Sequence, residues 1–244
     1  MTGTSVGGGV AETDKSRIVR DAATVVLMRD AQGQVPRVLM GQRGASAAFM
    51  PNKFVFPGGA VDPGDGEVPV FAAGVEPDHS RLTEDADPTA PRRLLAAAIR
   101  ELWEETGQIL GTPGEWDAPV PPDWRSFAAT GHIPSAEGLT FIFRAVTPPG
   151  RPRRFDARFF LANADALTTD PDDFSRASEE LAHLQWVPLG QLREFDLPFI
   201  TQVVLAELAG RLPSLAAPDT VPYFKNDAEA LHFRRLGGKG PFED

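Results

Sequence analysis

The feature that most constrains the fold is one amphipathic segment near the middle of the chain. Over Pro91–Ile109 apolar residues recur every three or four positions, at Leu94, Leu95, Ala98, Ile99, Leu102 and Trp103. This spacing aligns them on one side of an α-helix and predicts that the helix packs against a core. Of the 244 residues 42% are hydrophobic, which suffices for a sizeable core, and we expect one domain.

The polar part of the same segment concentrates three carboxylates. Glu101 and Glu105 are four positions apart and Glu104 is three from Glu101, so they are neighbours on the predicted helix. Arg100 can offset part of their repulsion, since it stands four positions before Glu104. Such a cluster is most often a solvated face, but a Pro-Gly-Gly turn at 57–59 and a glycine after the helix favour a function. Because hard cations prefer oxygen ligands, the cluster predicts a divalent metal site.

Shorter patterns outline the rest of the domain. They predict a hairpin from the runs 23–28 and 37–41, strands at Phe54–Phe56, Leu139–Val146, Arg154–Leu161 and Leu184–Val187, and a helix at Leu197–Leu208. We expect a flexible N-terminal tail at 1–16, a single domain at 17–221, and a C-terminal tail at 222–244 that packs on the domain.

Composition narrows the class of partner. Lys plus Arg total 24 against 34 for Asp plus Glu, and the net charge of −10 argues against nucleic acid. Cysteine is absent, which excludes disulfides and zinc-thiolate sites. No apolar stretch approaches the roughly 18 residues of a membrane span, and the N-terminus lacks the pattern of a signal peptide. We therefore expect a cytoplasmic protein with a small-molecule substrate and no membrane partner.

The carboxylate segment resembles the Nudix box, G-x5-E-x7-R-E-U-x-E-E-x-G-U, in which U is an aliphatic residue. Gly59 matches the first glycine, and Arg100, Glu101, Leu102, Glu104, Glu105 and Gly107 match the second half in register. The resemblance implies an α/β/α sandwich with a mixed β-sheet between helices. It also implies hydrolysis of a diphosphate bond with Mg²⁺ or Mn²⁺. By the same resemblance, Glu101, Glu104, Glu105 and Gly59 would hold the metal, and Arg100 would orient the carboxylates.

The sequence departs from this pattern at three places. Asp65 stands where the family has its first Glu, and residues 66–99 separate it from Arg100 where the pattern has seven positions. Residues 66–92 therefore form an insertion within the box, which we expect to act as a lid or wall beside the substrate and not as core. Gln108 replaces the final aliphatic residue.

The insertion makes the chain similar to one branch of the family, the acyl-coenzyme A diphosphatases. A coenzyme A signature of the wider family reads L-L-T-x-R-[SA]-x3-R-x3-G-x3-F-P-G-G; Leu39, Arg43 and 56–59 fit it, whereas Ala48 replaces the second Arg. Coenzyme A or an acyl-CoA is the leading substrate. The alternatives are NADH, ADP-ribose or nucleotide sugars, dinucleoside polyphosphates and, from another class, a non-catalytic nucleotide-sensing module.

Other charged residues complete the expected site. Arg43, Arg153, Arg154 and Arg158 are candidates for binding substrate phosphates, although each also suits a surface charge that balances an acidic protein. Glu179 and Glu180 precede Trp186, as a loop general base often does in the family, and Glu180 is preferred; surface carboxylates are equally common there. Dimers are frequent in the family, so a homodimer is a further expectation.

Overall fold

The computed structural model describes residues 18–47, 49–72, 76–226 and 231–237. The expected N-terminal tail at 1–16 lies outside these residues, as does Ala48 of the coenzyme A signature.

The centre of the molecule is a mixed β-sheet built around the long strand β1, Val19–Arg29. The other strands are β2 Arg37–Arg43, β3 Phe54–Val55, β4 Gly58–Ala60, β7 Thr140–Val146, β8 Arg154–Asn163, β9 Leu181–Pro188, β10 Val221–Asn226 and β11 Leu231–Leu236, with β5 Gly111–Pro113 and β6 His132–Pro134 forming a separate pair. β1 pairs in parallel with β8 on one edge and antiparallel with β2 and β4 on the other. The order across the sheet is β11, β10, β7, β8, β1, β2, β3, with β9 also paired to β2.

Helices cover both faces of this sheet. They are α1 Glu76–Thr83, α2 Ala90–Thr106, α3 Arg125–Ala128 and α4 Phe199–Ala209. Ala23, Val25 and Leu27 share a buried cluster with the apolar face of α2, whereas Val26 and Met28 share one with α4. Because successive strand residues point to opposite faces, one apolar run supplies both cores. The expected α/β/α sandwich with a mixed sheet is confirmed.

The carboxylate helix forms as the apolar spacing predicts. Pro91 lies in its first turn, where the missing amide hydrogen costs nothing. The helix ends at Thr106 and not at the expected Ile109, because Gly107 adopts a left-handed conformation with φ 74° and donates its N–H to the carbonyl of Trp103. Its acidic end is thereby fixed beside the sheet.

The insertion at 66–92 contributes residues to the core, so the expectation that it is not core was wrong. Val68, Leu82 and Ala90 are fully or almost fully buried in the cluster that contains α2. The segment also includes α1, and the carbonyl of Glu84 accepts a hydrogen bond of 2.6 Å from Arg144 Nη1. Val70, Ala72 and Ala86 pack against the same cluster, whereas Phe71 is 49% exposed.

The sheet also continues beyond the expected domain end at residue 221. β10 pairs in parallel with β7, and β11 pairs with β10. The guanidinium of Arg144 lies 4.4 Å from the ring centroid of Tyr223 and adds a cation–π contact to this pairing. Residues 222–226 and 231–236 are therefore strands of the sheet and not an appended tail. The basic residues of β11 concealed the strand pattern.

Within the described residues, no helix combines the length and the hydropathy that a membrane crossing requires.

A core role for the insertion predicts the effect of truncating its buried leucine. Leu82→Ala should lower the free energy of unfolding by about 2–5 kcal/mol, because it removes buried methyl groups and leaves a cavity. Chemical denaturation measures this change. Ser80→Ala on the exposed side of α1 is the control and should change stability by less than about 0.5 kcal/mol. A Leu82 variant as stable as the control would contradict the core assignment.

Candidate functional site

A buried guanidinium organises the acidic end of α2. Arg100 is only 3% exposed, yet it lies among four acceptor groups. Its Nη1 donates to Glu101 at 3.0 Å and to Glu104 at 2.9 Å, and its Nη2 donates to the carbonyl of Ala60 at 2.9 Å. The fourth group is Asp65, which accepts from Nε at 2.9 Å and from Nη2 at 3.1 Å. Arg100 therefore joins the helix to β4 and to the turn that contains Asp65.

Asp65 is the residue whose importance the sequence analysis understated. Its carboxylate is completely buried and also accepts hydrogen bonds from Trp124 Nε1 at 3.0 Å and from the backbone N–H of Asp62 at 2.8 Å. It thus orients Arg100 in a two-point ion pair, at the position where the Nudix pattern has its first Glu. The matching register was the available sequence signal, but the long gap to Arg100 obscured it.

Glu105 is held against the glycine turn. It is 2% exposed, and its Oε2 accepts the backbone N–H of Gly58 at 2.7 Å. Burial raises the pKa of Glu105 to about 8, and repulsion from Glu101 adds to the shift. Arg43 and the Gly58 N–H act in the opposite direction. The carboxyl is therefore protonated more readily than an ordinary glutamate.

Glu101 lies directly beneath Gly59. A Cβ on Gly59 would lie 2.4–2.6 Å from the carboxylate atoms of Glu101, so only glycine leaves room for this approach. Burial raises the pKa of Glu101 to about 7; Arg100 opposes the shift, and Glu104 and Glu180 add to it. The carboxylates repel one another across a small, partly desolvated space.

Glu104 is the most accessible of the three, with 36% of its side chain exposed. Burial raises its pKa, Arg100 opposes this, and Asp123 and Asp65 contribute further repulsion. Asp123 belongs to the proline-rich loop before α3, and no pattern in the sequence pointed to it. Within the described part of the chain, no three acidic or histidine side chains converge as a ready-made metal cluster, since Glu101 and Glu104 both turn to Arg100.

The loop with the predicted general base lies against the same helix end. The backbone N–H of Ser178 donates to the carbonyl of Glu104 at 3.0 Å, two residues before Glu180. Glu180 is exposed, and its charge adds to the raised pKa of both Glu101 and Glu105, so it is brought to the cluster. Glu179 is also exposed.

Comparison with known proteins places this arrangement in a family. No family model matches the chain. A curated protein named nudix hydrolase 7 of Caenorhabditis elegans is 30% identical over 180 residues, which cover 69% of this chain and 51% of that protein. The acyl-coenzyme A diphosphatase NUDT19 of Gallus gallus is 26% identical over 236 residues, with 68% of this chain and 60% of that protein covered. The chain thus spans between half and two thirds of the length of these curated relatives.

A solved structure of the same family as these two relatives is also similar to this chain. The crystal structure of a NUDIX hydrolase from Alicyclobacillus acidocaldarius superposes with a TM-score of 0.57 at 29% sequence identity, covering 78% of this chain and 90% of that chain. The chain belongs to the Nudix superfamily. Its box therefore consists of two parts that the insertion separates in sequence and that the Asp65–Arg100 ion pair joins in space.

The predicted substrate-binding arginines do not form one group in this Nudix domain. Arg43 lies at the site: its Nη2 donates to the carbonyl of Gly58 at 3.3 Å. Arg158 is 1% exposed and ion-paired with Asp21 at 2.5 Å, so its guanidinium is not open to a substrate and its assignment was wrong.

The other two candidates stand at the start of β8. Arg154 is half-buried and donates from Nε to the carbonyl of Thr147 at 3.0 Å. Arg153 is exposed. Three of the candidates, Arg153, Arg154 and Arg158, are close in sequence, but strand alternation and ion pairing separate their side chains.

The raised carboxyl pKa values predict how stability depends on pH. Between the ordinary value of 4.5 and the folded values of about 7 and 8, the folded Nudix domain binds protons that the unfolded chain releases. The contribution of this proton binding to the free energy of unfolding is present at the low-pH end of this range. It is lost as the pH rises through the pKa values of the folded state. In EDTA the Tm should therefore fall from about pH 6 to about pH 8.5.

Substitution of the buried carboxyl tests the cause. Glu105→Gln should reduce the fall in Tm, because the amide cannot ionise. Glu115→Gln, at an exposed glutamate that is not one of the cluster's carboxylates, should keep the full fall in Tm. A scanning thermal melt across pH measures both variants. An unchanged pH dependence in Glu105→Gln would show that the shift does not arise from this carboxyl.

Proposed function

We propose that the chain hydrolyses a diphosphate bond in a nucleotide-linked substrate, with Mg²⁺ or Mn²⁺ as cofactor. The observation that carries the proposal is the carboxylate cluster at the end of α2, which Arg100 and Asp65 hold beneath the Gly58–Gly59 turn in a chain of this superfamily. Water would attack phosphorus, and both products would carry phosphate.

The donor set fits a hard divalent cation. Glu101, Glu104 and Glu105 would hold it through their carboxylates and Gly59 through its backbone, whose missing Cβ already makes room for Glu101. Glu104 is exposed enough to turn from Arg100 toward a cation. When bound, the metal neutralises charge on the phosphoryl oxygens and activates the attacking water. The mutual repulsion that raises the carboxyl pKa values would then be relieved.

Residues of the chain would position the carboxylates and accept the proton of the attacking water. Arg100 keeps the carboxylates at fixed positions through charge-assisted hydrogen bonds. Glu180 would accept the proton of the attacking water, since it is exposed and its charge reaches the cluster. Glu179, its neighbour, is the second candidate for the base.

Within this reaction we favour coenzyme A or an acyl-CoA as substrate. The proposal is supported by the 26% identical relative named acyl-coenzyme A diphosphatase and by the position of Arg43 next to Gly58. At that place Arg43 can contact a phosphate, and arginine suits such a contact by its fork of donors. NADH, ADP-ribose or nucleotide sugars, and dinucleoside polyphosphates are the alternatives. A cytoplasmic location and a homodimer remain predictions.

The metal role predicts the effect of neutralising single carboxylates. Glu104→Gln and Glu105→Gln should each lower turnover at least about a hundredfold, because each loses part of the metal-assisted charge stabilisation. Product release from a panel of the proposed diphosphates, with Mg²⁺ or EDTA, measures this, and Glu115→Gln is the matched control. Wild-type turnover that persists in EDTA would contradict the metal role. Nucleotide binding without any product would instead favour the non-catalytic sensing module.

The substrate assignment predicts discrimination by the 3′-phosphate of coenzyme A. Dephospho-coenzyme A should have a kcat/KM about tenfold to 150-fold lower than coenzyme A, because one charged hydrogen bond is lost. Arg43→Ala should erase the difference if Arg43 makes that contact, and Arg153→Ala and Arg154→Ala should do so if the contact comes from β8. Equal kcat/KM values in the wild type would contradict coenzyme A specificity and favour NADH or nucleotide sugars.

A further inference from the structure

Gln108 is a buried polar residue directly after the Gly107 cap of the carboxylate helix. Its side chain is completely buried although it carries two donors and an acceptor. The Nudix pattern has an aliphatic residue at this position, which would fill the space with carbon alone. Burying an amide costs free energy unless its polar atoms form hydrogen bonds, so the hydrogen-bond partners of Gln108 indicate its role.

The side-chain hydrogen bonds of Gln108 go to one segment, residues 167–180, which we call the β8–β9 loop. Nε2 donates to the backbone carbonyls of Asp170 at 3.1 Å and Asp173 at 2.8 Å. Oε1 accepts from the hydroxyl of Thr169 at 2.6 Å. One side chain thus fixes three successive points of the loop to the end of α2.

Backbone contacts extend this attachment along the loop. Thr168 donates its N–H to the carbonyl of Ile109 at 3.0 Å. A Cβ on Gly107 would lie 2.9 Å from the Cβ of Arg176, so the loop packs directly on the helix cap. The Ser178 N–H bonded to the carbonyl of Glu104 then brings the chain to Glu180. The last residues of the loop are those proposed to carry the general base.

We propose that Gln108 is a positioning residue that holds the β8–β9 loop on the catalytic helix and so sets the place of Glu180 relative to the carboxylate cluster. The catalytic consequence of this inference rests on the proposed function. The attachment of the loop by Gln108 does not depend on that function. An aliphatic residue could pack in the same space, but it would leave two carbonyls and one hydroxyl without their present partner.

Gln108→Met tests the attachment, because methionine has a similar length and no hydrogen-bond donor. Amide hydrogen exchange over residues 168–178 should become about tenfold faster or more, while exchange in β1 stays unchanged. Gln191→Met, the same substitution at an exposed glutamine, is the control and should leave the loop unaffected. Unchanged exchange in the loop of Gln108→Met overturns the proposal.

Kinetics then test the catalytic consequence with the substrate that the panel identifies. Gln108→Met should lower kcat about 10- to 100-fold with KM altered less than about threefold, because the base is misplaced and substrate binding is retained. In a Glu180→Gln background the same substitution should alter kcat less than about threefold, since the group that it positions is gone.

The outcomes are separable. A full additional loss of kcat in the Glu180→Gln background would mean that Gln108 acts by stability alone and would overturn the positioning role. Absence of hydrolysis by the wild type would overturn the proposed function, and the exchange comparison would still decide whether Gln108 holds the loop.

Discussion

The rest of the site depends on one buried cation. Taking the guanidinium of Arg100 out of water is costly, and the cost is offset only because Asp65, Glu101, Glu104 and the carbonyl of Ala60 surround it. The same contacts hold carboxylates that would otherwise repel one another. They also join β4, the turn at 63–67 and α2, so the position of the cluster is set by tertiary structure and not by the helix alone. Removing Arg100 would leave the buried carboxylate of Asp65 without its counter-charge.

This ion pair explains how the Nudix box accommodates so long an insertion. Asp65 and Arg100 are far apart in sequence, yet Nε and Oδ1 are 2.9 Å apart. Because the intervening chain leaves and returns at these two contacting points, its length does not alter the geometry between them. The insertion instead contributes to packing away from this ion pair. Leu82 lies in the core, and the carbonyls of Glu84 and Asp85 accept hydrogen bonds from Arg144. Gln108 follows the same C-terminal end of α2 and attaches the β8–β9 loop to it, so the carboxylates and this loop are held at one end of the helix.

What the sequence could predict was local. The apolar spacing predicted α2, and the box predicted its carboxylates and the glycine above Glu101, because helix periodicity and a motif in register need no knowledge of distant contacts. The ion partner of Arg100, the attachment made by Gln108 and the approach of Asp123 each depend on residues that only the fold brings together. Arg158 failed as a substrate ligand for the same reason, since strand pairing buries it beside Asp21 and Asp156. The sheet beyond residue 221 was missed because basic side chains interrupt its apolar pattern.

We propose that the carboxylate end of α2 serves the attack of water on a diphosphate. Mass spectrometry of the products formed from an acyl-CoA in ¹⁸O-labelled water with Mg²⁺ tests this most directly, because the substrate also contains a thioester that another hydrolase would cleave. We expect cleavage between the two phosphorus atoms, with one ¹⁸O atom in the phosphate of a single product and the thioester intact. Cleavage at the thioester, or label in a carboxylate and none in phosphate, would contradict it.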